Sequence, residues 1–339
     1  MHAPVRKLSL VVAALALGAL VLVASASAGN AGFQPVAPQS PNADSITNTF
    51  WFITAFVLVV FVGVEALLVV FVVKYRRKKR DRNADGPQIH GSTRLETLWT
   101  LIPVVILVAI ATFVFVELPG IVNVPGASAA GDRIEIAVRG EQFSWQFRYA
   151  NGAIAFDRMR VPLGEPVKLT VTAPDWDVIH SWWIPALGGK IDAIPGRINS
   201  TWFTASKTGI FTGRCAELCG VQHAAMQTSV EVMPRAAFEN WVAARAAQQR
   251  ANQAGNTLGR EEWTASCAKC HGLDGQGGYG PAIASSPTLQ DKEALTTRVR
   301  QGVVSTSPDV PSMPPVGRDW TQEQIDALAA YLKERFGGG

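Results

Sequence analysis

Three rhythms of apolar residues succeed one another along this chain. Near the N-terminus they form long runs, from Leu8 to Val23, Phe50 to Val73 and Leu98 to Val116. About 20 consecutive apolar residues suffice for a helix across the hydrocarbon of a bilayer, and the second run has 24, interrupted mainly by Thr54, Gly63 and Glu65. From Ile134 the rhythm drops to two. Ile134-Glu-Ile136-Ala-Val138 and Val167-Lys-Leu169-Thr-Val171 alternate as half-buried strands do. Residues 201–204 and 228–232 continue the pattern, with turns such as Val161-Pro-Leu-Gly164 and Ile194-Pro-Gly196 between. Short strands at this spacing predict a Greek-key sandwich or barrel over 131–234. Beyond Arg235 the period becomes helical. Residues 235–247 read as a helix, and Ile325, Leu328, Leu332 and Phe336 form one stripe behind the capping-box pattern Thr321-Gln-Glu-Gln324. The fold class this predicts is a multidomain membrane protein, with a two-helix transmembrane hairpin, an all-β barrel and an all-α C-terminal domain.

Charge and small residues sharpen the boundaries. Arg6 and Lys7, the short apolar core and Ala24-Ser-Ala-Ser-Ala28 have the order of a secretory signal, expected over 1–28 with cleavage after Ala28. Residues 29–47 read as an irregular lead-in outside the cytoplasm. The hairpin is expected over 48–118, with spans of about 50–73 and 98–116 and a cytoplasmic loop at 74–95. That loop carries eight Lys/Arg and two Asp, a net +6 against +4 for the whole chain. The basic excess therefore reports topology and gives no reason to expect nucleic acid. Glu65 is costly in lipid and should face protein or water; Glu96 reads as a first-turn helix carboxylate. The mean hydropathy of +0.14 agrees with a membrane anchor. Residues 248–257, rich in Gln, Ala and Asn, read as a linker, so 235–257 is helix and linker and 258–337 the last domain.

The chain has four cysteines and five histidines, and the cysteines all fall in ligand-like motifs. Cys215-x3-Cys219-x3-His223-x2-Met226 offers two thiolates, an imidazole and a thioether within twelve residues. These soft donors suit copper, and two thiolates beside His and Met suggest two copper ions bridged by both sulfurs. A disulfide or a structural zinc are the plainer readings, but zinc rarely recruits Met and a disulfide does not need His223. His180, in Asp177-Val-Ile-His180-Ser-Trp182, is the candidate second imidazole, brought in by the fold. Downstream, Cys267-Ala-Lys-Cys270-His271 is the attachment pattern for a c-type haem. His271 is the expected axial ligand and Met313 the second, a pairing that raises the haem potential. The Pro281 carbonyl is a candidate acceptor for the ring N–H of His271.

Taken together these stretches resemble subunit II of haem–copper cytochrome c oxidases, in the bacterial form with a fused C-terminal cytochrome c. The residues that carry the resemblance are His90 to Pro103, Asp177 to Trp182, Asp192-Ala-Ile-Pro-Gly-Arg197 and the copper loop. The resemblance implies a cupredoxin-like barrel and a class I cytochrome c domain. It implies that His180, Cys215, Cys219, His223 and Met226 are ligands of the binuclear CuA centre. Glu217 would add its backbone carbonyl to one copper, and its carboxylate would reach a magnesium at the contact with subunit I. Cys267, Cys270, His271 and Met313 would hold the haem. Glu96 matches a glutamate at the cytoplasmic mouth of a proton pathway, and Asp177 and Asp192 match acidic positions near the cytochrome c docking surface.

One position departs from the family. The aromatic run usually reads Gln-Trp-Tyr-Trp but here is Gln142-Phe-Ser-Trp145, so Phe143 stands where the family has its electron-accepting tryptophan. The implied role is the electron-input subunit of a proton-pumping oxidase in the bacterial inner membrane, partnered by subunits I and III and a periplasmic cytochrome c or similar donor. The chain would have no oxygen site of its own, and so no catalytic residue beyond its relay. A quinol oxidase subunit, a nitrous-oxide reductase and a membrane-anchored copper/haem carrier outside any oxidase are the rival readings. The intact ligand set, the hairpin, and Glu96 with Glu217 argue against them in turn.

Overall fold

The computed structural model describes residues 34–75, 88, 90–124, 133–251, 257–306 and 311–336. The expected signal at 1–28 and most of the basic loop lie outside these residues. The described residues form two compact units. One holds the stretch Asp44–Ile121, and the other combines Pro38–Ala43 with the chain from Val122 onward.

In the first unit, α1 (Pro41–Tyr75) and α2 (Thr93–Val122) are each long and apolar enough to cross a membrane. They are apolar on every face, and α2 buries none of its side chains, which calls for lipid or a partner protein around them. Phe52 stacks on Phe113 with ring centroids 4.0 Å apart, joining the two helices. The hydroxyls of Thr97, Thr100 and Thr112 donate to carbonyls one turn back, which satisfies them in an apolar setting. Both helices outrun their apolar cores. α1 begins at Pro41, where a proline in the first turn gives up no helical hydrogen bond, and α2 continues through Pro103 and Pro119.

The second unit is built on two five-stranded sheets, β3-β2-β1-β5-β8 and β4-β10-β9-β6-β7. The first comprises β1 (Ile134–Glu141), β2 (Ser144–Tyr149), β3 (Ile154–Phe156), β5 (Pro166–Thr172) and β8 (Asn199–Thr204). The second comprises β4 (Arg158–Pro162), β6 (His180–Trp183), β7 (Ile191–Ala193), β9 (Gly209–Cys215) and β10 (Gln227–Met233). β1 runs parallel to β5, pairing Ile136 with Leu169, and antiparallel to β2, pairing Val138 with Phe147. The alternation in β5 and β10 follows the sequence: Val167, Leu169 and Val171, then Thr228, Val230 and Val232, point inward. Trp145, Phe147, Leu169 and Phe203 fill the space between the sheets, each worth about 1.5–3 kcal/mol of burial.

Two stretches expected to be irregular are part of this unit. Asn42 is buried and donates to the Trp202 carbonyl at 2.6 Å, while Ser40 Oγ accepts from Thr204 N at 3.0 Å. Ser40 and Asn42, within the expected lead-in, thus lie along the edge of β8, where backbone groups need partners. The supposed linker begins as helix. α3 (Arg235–Ala251) runs past Gln248, and the buried Gln249 side chain serves Ile154 as a strand neighbour would, accepting from its N–H at 3.2 Å and donating to its carbonyl at 2.9 Å.

The C-terminal region follows with α4 (Thr257–Glu262), a π-helical stretch Trp263–Cys267, α5 (Ala268–His271), α6 (Lys292–Gln301) and α7 (Gln322–Phe336). The capping box at α7 forms as its sequence predicts: Thr321 N donates to Gln324 Oε1 at 3.1 Å and Gln324 N to Thr321 Oγ1 at 3.3 Å. Ile325, Leu328 and Leu332 are buried against Trp263, Leu295, Val299 and Trp320. Phe336, at the end of the stripe, lies edge-on to Trp263.

Candidate metal and haem sites

The copper-type donors converge where β9 hands over to β10. Cys215 ends β9, Met226 precedes β10, and Cys215 N donates to Met226 O at 3.0 Å, so residues 216–226 form a loop closed at its base. His180 opens β6, and the register that pairs Trp182 with Cys215 brings its imidazole to that base. Gly213 permits this: a Cβ there would sit 1.9 Å from the Trp183 carbonyl oxygen. Gly220, at φ +130°, turns the loop, and a Cβ on it would meet Gln142 and Phe143.

Within this frame the two thiol sulfurs lie 4.0 Å apart. A disulfide needs about 2.05 Å, whereas 4.0 Å leaves room for shared metal ions. His180 Nδ1 lies 4.0 Å from Cys215 Sγ, His223 Nδ1 3.5 Å from Cys219 Sγ, and Met226 Sδ 3.7 Å from Cys219 Sγ. The Glu217 carbonyl oxygen lies 3.2 Å from Cys215 Sγ. His180, Cys215, Cys219 and Met226 are buried, and the Glu217 side chain is exposed. All six predicted residues are therefore gathered around one sulfur pair, and their chemistry fits copper.

Protonation follows from the packing. The hydrogen bond to Cys219, against the opposing effect of burial, draws the Cys215 thiol down to about 3, while Cys219 is pushed up chiefly by the same contact. The pair thus holds one proton, which a cation would displace. For His180, burial disfavours the charged ring, but hydrogen bonds to Asp177 and Cys215 outweigh it and raise it to about 9. Asp177 Oδ2 lies 3.3 Å from His180 Nε2 and accepts from Gln142 N at 2.9 Å. Its side chain is wholly buried. The expectation of Asp177 near a docking surface gives way to a buried carboxylate that orients the His180 ring, as carboxylates do for histidines at metal sites. Asp192 is 42% exposed, beside Lys190.

The haem-type residues surround a cavity of about 420 Å³, lined by Cys267, Cys270, His271, Met313, Trp263 and Leu328 among others. His271 Nδ1 lies 2.8 Å from the Pro281 carbonyl, as the sequence predicts, so Nδ1 carries the proton and Nε2 is left to ligate. Met313 is fixed by reciprocal backbone bonds with Val303, both 2.9 Å. Burial raises the Cys267 thiol to about 12. Apolar walls, two cysteines, and a histidine and a methionine lining one cavity fit a haem. Glu96 sits in the first turn of α2, its Oε1 accepting from Ser92 N at 3.3 Å, and Glu65 is exposed on α1.

Family comparisons agree region by region. Residues 26–116 match the transmembrane domain of cytochrome C oxidase subunit II, and 153–233 match its periplasmic domain. Residues 254–332 match subunit III of cbb3-type cytochrome C oxidase. A cytochrome c oxidase subunit 2 of Alkalihalophilus pseudofirmus is 32% identical over 334 residues, 94% of this chain and 95% of that one. The chain belongs to the cytochrome c oxidase subunit II family. A relative in Cereibacter sphaeroides is 31% identical over 66% of this chain and 82% of its own. The solved periplasmic domain of subunit II from Bradyrhizobium japonicum is 36% identical over 34% of this chain and 94% of that domain, with a TM-score of 0.33. As a family member the chain is a membrane-anchored oxidase subunit with a periplasmic domain, and its CuA and cytochrome regions imply copper and haem.

What the sequence reasoning missed lies between the two sites. Gln142, Phe143, Gly220 and Val221 of the barrel line the same cavity as the haem-type residues. Buried Glu141 and Glu262 were also missed, since nothing in their spacing distinguishes them from surface carboxylates. Burial drives both upward, Glu141 to about 7.

Proposed function

We propose that this chain is the electron-input subunit of a proton-pumping cytochrome c oxidase in the bacterial inner membrane, working with subunits I and III. α1 and α2 would form the hairpin, with the basic loop in the cytoplasm and both redox regions outside. A binuclear copper centre held by His180, Cys215, Glu217 O, Cys219, His223 and Met226, and a haem held by Cys267, Cys270, His271 and Met313, would supply one-electron chemistry when bound. Electrons would come from a periplasmic cytochrome c or similar donor and leave for the oxygen-reducing subunit.

The observation that carries this reading is the sulfur pair at 4.0 Å with an imidazole nitrogen beside each sulfur, at 4.0 and 3.5 Å. The chain's own residues would do three things for such a centre. Asp177 holds His180 with Nδ1 towards Cys215. The closed base of the loop keeps the donor spacing fixed, which limits rearrangement between redox states. Burial of Cys215, Cys219 and Met226 excludes water from the sulfurs. At the rim, the exposed Glu217 carboxylate could reach a magnesium shared with subunit I, and Glu96 would admit protons at the opposite side of the membrane.

Cys219→Ser in the assembled oxidase should reduce oxygen uptake from reduced cytochrome c more than a hundredfold while the haem remains attached. Uptake within a few-fold of wild type would contradict the proposal.

A further inference from the structure

Three segments of the second unit hold one another in a closed triangle. The turn between β1 and β2 grips the copper loop, since Gln142 Nε2 donates to the Cys219 carbonyl at 2.5 Å. The copper loop grips the haem-attachment motif, since Gln222 Nε2 donates to the Lys269 carbonyl at 3.1 Å. The motif grips the turn in return. Lys269 Nζ donates to the Phe143 carbonyl at 2.5 Å and to Asp157 Oδ2 at 2.9 Å. Asp157 in turn accepts from Trp145 N at 2.9 Å, so the lysine is tied to the hairpin at both ends. The Lys269 side chain is only 14% exposed, and an ammonium so far from water needs its partners. Gln222 adjoins His223, and Lys269 lies between Cys267 and Cys270.

From this geometry we infer that Lys269 is a positioning residue, clamping the haem-attachment motif onto the barrel so that Phe143 and the copper loop form a fixed wall of the haem cavity. The inference rests on the proposed copper and haem sites and adds what keeps them together. Thioether bonds at residues 267 and 270 would tie the haem edge to the backbone on either side of Lys269, so fixing that backbone fixes the haem. It also gives the Phe143 position a place in the seam between the two sites. That residue is 6% exposed and lines the cavity, and its carbonyl is spent on Lys269. The hairpin that carries it lies ahead of the matched periplasmic span at 153–233.

The test uses the full-length chain loaded with haem and copper, comparing wild type with Lys269→Met and Lys269→Arg. Amide hydrogen exchange is followed in peptides covering 140–146 and 218–224, and the haem-to-copper electron-transfer rate is read after flash reduction. Lys269→Met should speed exchange in those two peptides at least tenfold and slow the transfer at least tenfold. The haem and copper spectra should stay unchanged, exchange in β5 and β10 should not move, and Lys269→Arg should restore most of both effects. Should Lys269→Met not accumulate, Gln222→Ala removes the other side of the clamp and should speed the same exchange at least threefold. Unchanged exchange with haem and copper present overturns the clamp alone. So does a general loss of protection that Lys269→Arg does not relieve. A wild-type chain without covalent haem overturns the reading of residues 267–271 and the clamp with it.

Discussion

The copper loop and the haem cavity sit in the same unit but are assembled on different terms. In the copper loop the donors already touch one another: two sulfurs at 4.0 Å, nitrogens and a thioether within 4.0 Å of them, and a backbone bond closing the base. The strands on either side belong to a hydrophobic core that includes Cys215, Cys219 and Met226. In the haem region the haem-type residues come from separate short segments, and they face a cavity of about 420 Å³ lined in part by the buried Trp263, Leu295, Val299 and Leu328. The copper-type donors are thus held by paired strands, while the haem-type residues are held by short segments packed around a cavity. A group that binds the folded state and not the unfolded one stabilises the folded state.

The largest effect expected from this contrast is in chain made without covalent haem, through Cys267→Ala with Cys270→Ala. Residues 263–271 and 311–316 should lose amide protection by several orders of magnitude, while β5 and β10 keep theirs. Hydrogen exchange followed by mass spectrometry reads both at once, and parallel loss in the strands would break the comparison. A smaller effect is expected from Met313→Leu, which keeps the apolar wall but removes the thioether. The haem should remain attached and its potential should fall by a sizeable share of the roughly 0.8 V that axial ligands command. Spectroelectrochemical titration measures this, and an unchanged potential would remove Met313 as the axial ligand.

The smallest effect concerns the seam between the two regions. Burial raises the Glu141 carboxyl from 4.5 to about 7, with Arg139 pulling the other way. Across the seam, the same Arg139 bonds Asp319 at 2.8 Å. The folded chain keeps a proton here that the unfolded chain releases above about pH 4.5. Stability is therefore lost as the pH rises from there through 7. Glu141→Gln should be more stable than wild type at pH 8 by about 3 kcal/mol and should converge with it below pH 4.5. Denaturant titrations across that range test the sign, and a variant that is weaker at pH 8 would contradict it.

The sequence was most informative where one local pattern decides the outcome. The period-two stretches became β1, β5, β8 and β10, and Thr321 with Gln324 became a capping box, because alternation and capping depend on neighbours a few residues away. Four of the copper-type donors lie within twelve residues of one another, so their gathering has the same local cause, while His180 joins them only through the pairing of β6 with β9. What could not be read depends on contacts between distant segments. Ser40 and Asn42 look like loop residues until the edge of β8 is seen beside them, and Gln249 looks like linker until it pairs with Ile154. Asp177 looks like a surface charge until its burial against His180 is known. Lys269 is an interchangeable spacer in the haem motif, and only the fold brings it to Phe143 and Asp157.

The central claim, a copper pair on residues 180–226, is tested most directly by counting copper in the purified full-length protein and recording its electron paramagnetic resonance at low temperature. Two coppers per chain, sharing one unpaired electron in a seven-line mixed-valence pattern that Cys215→Ser abolishes, is the result expected. One copper per chain with the four-line pattern of a single ion, or a disulfide between Cys215 and Cys219 with no copper bound, would contradict it.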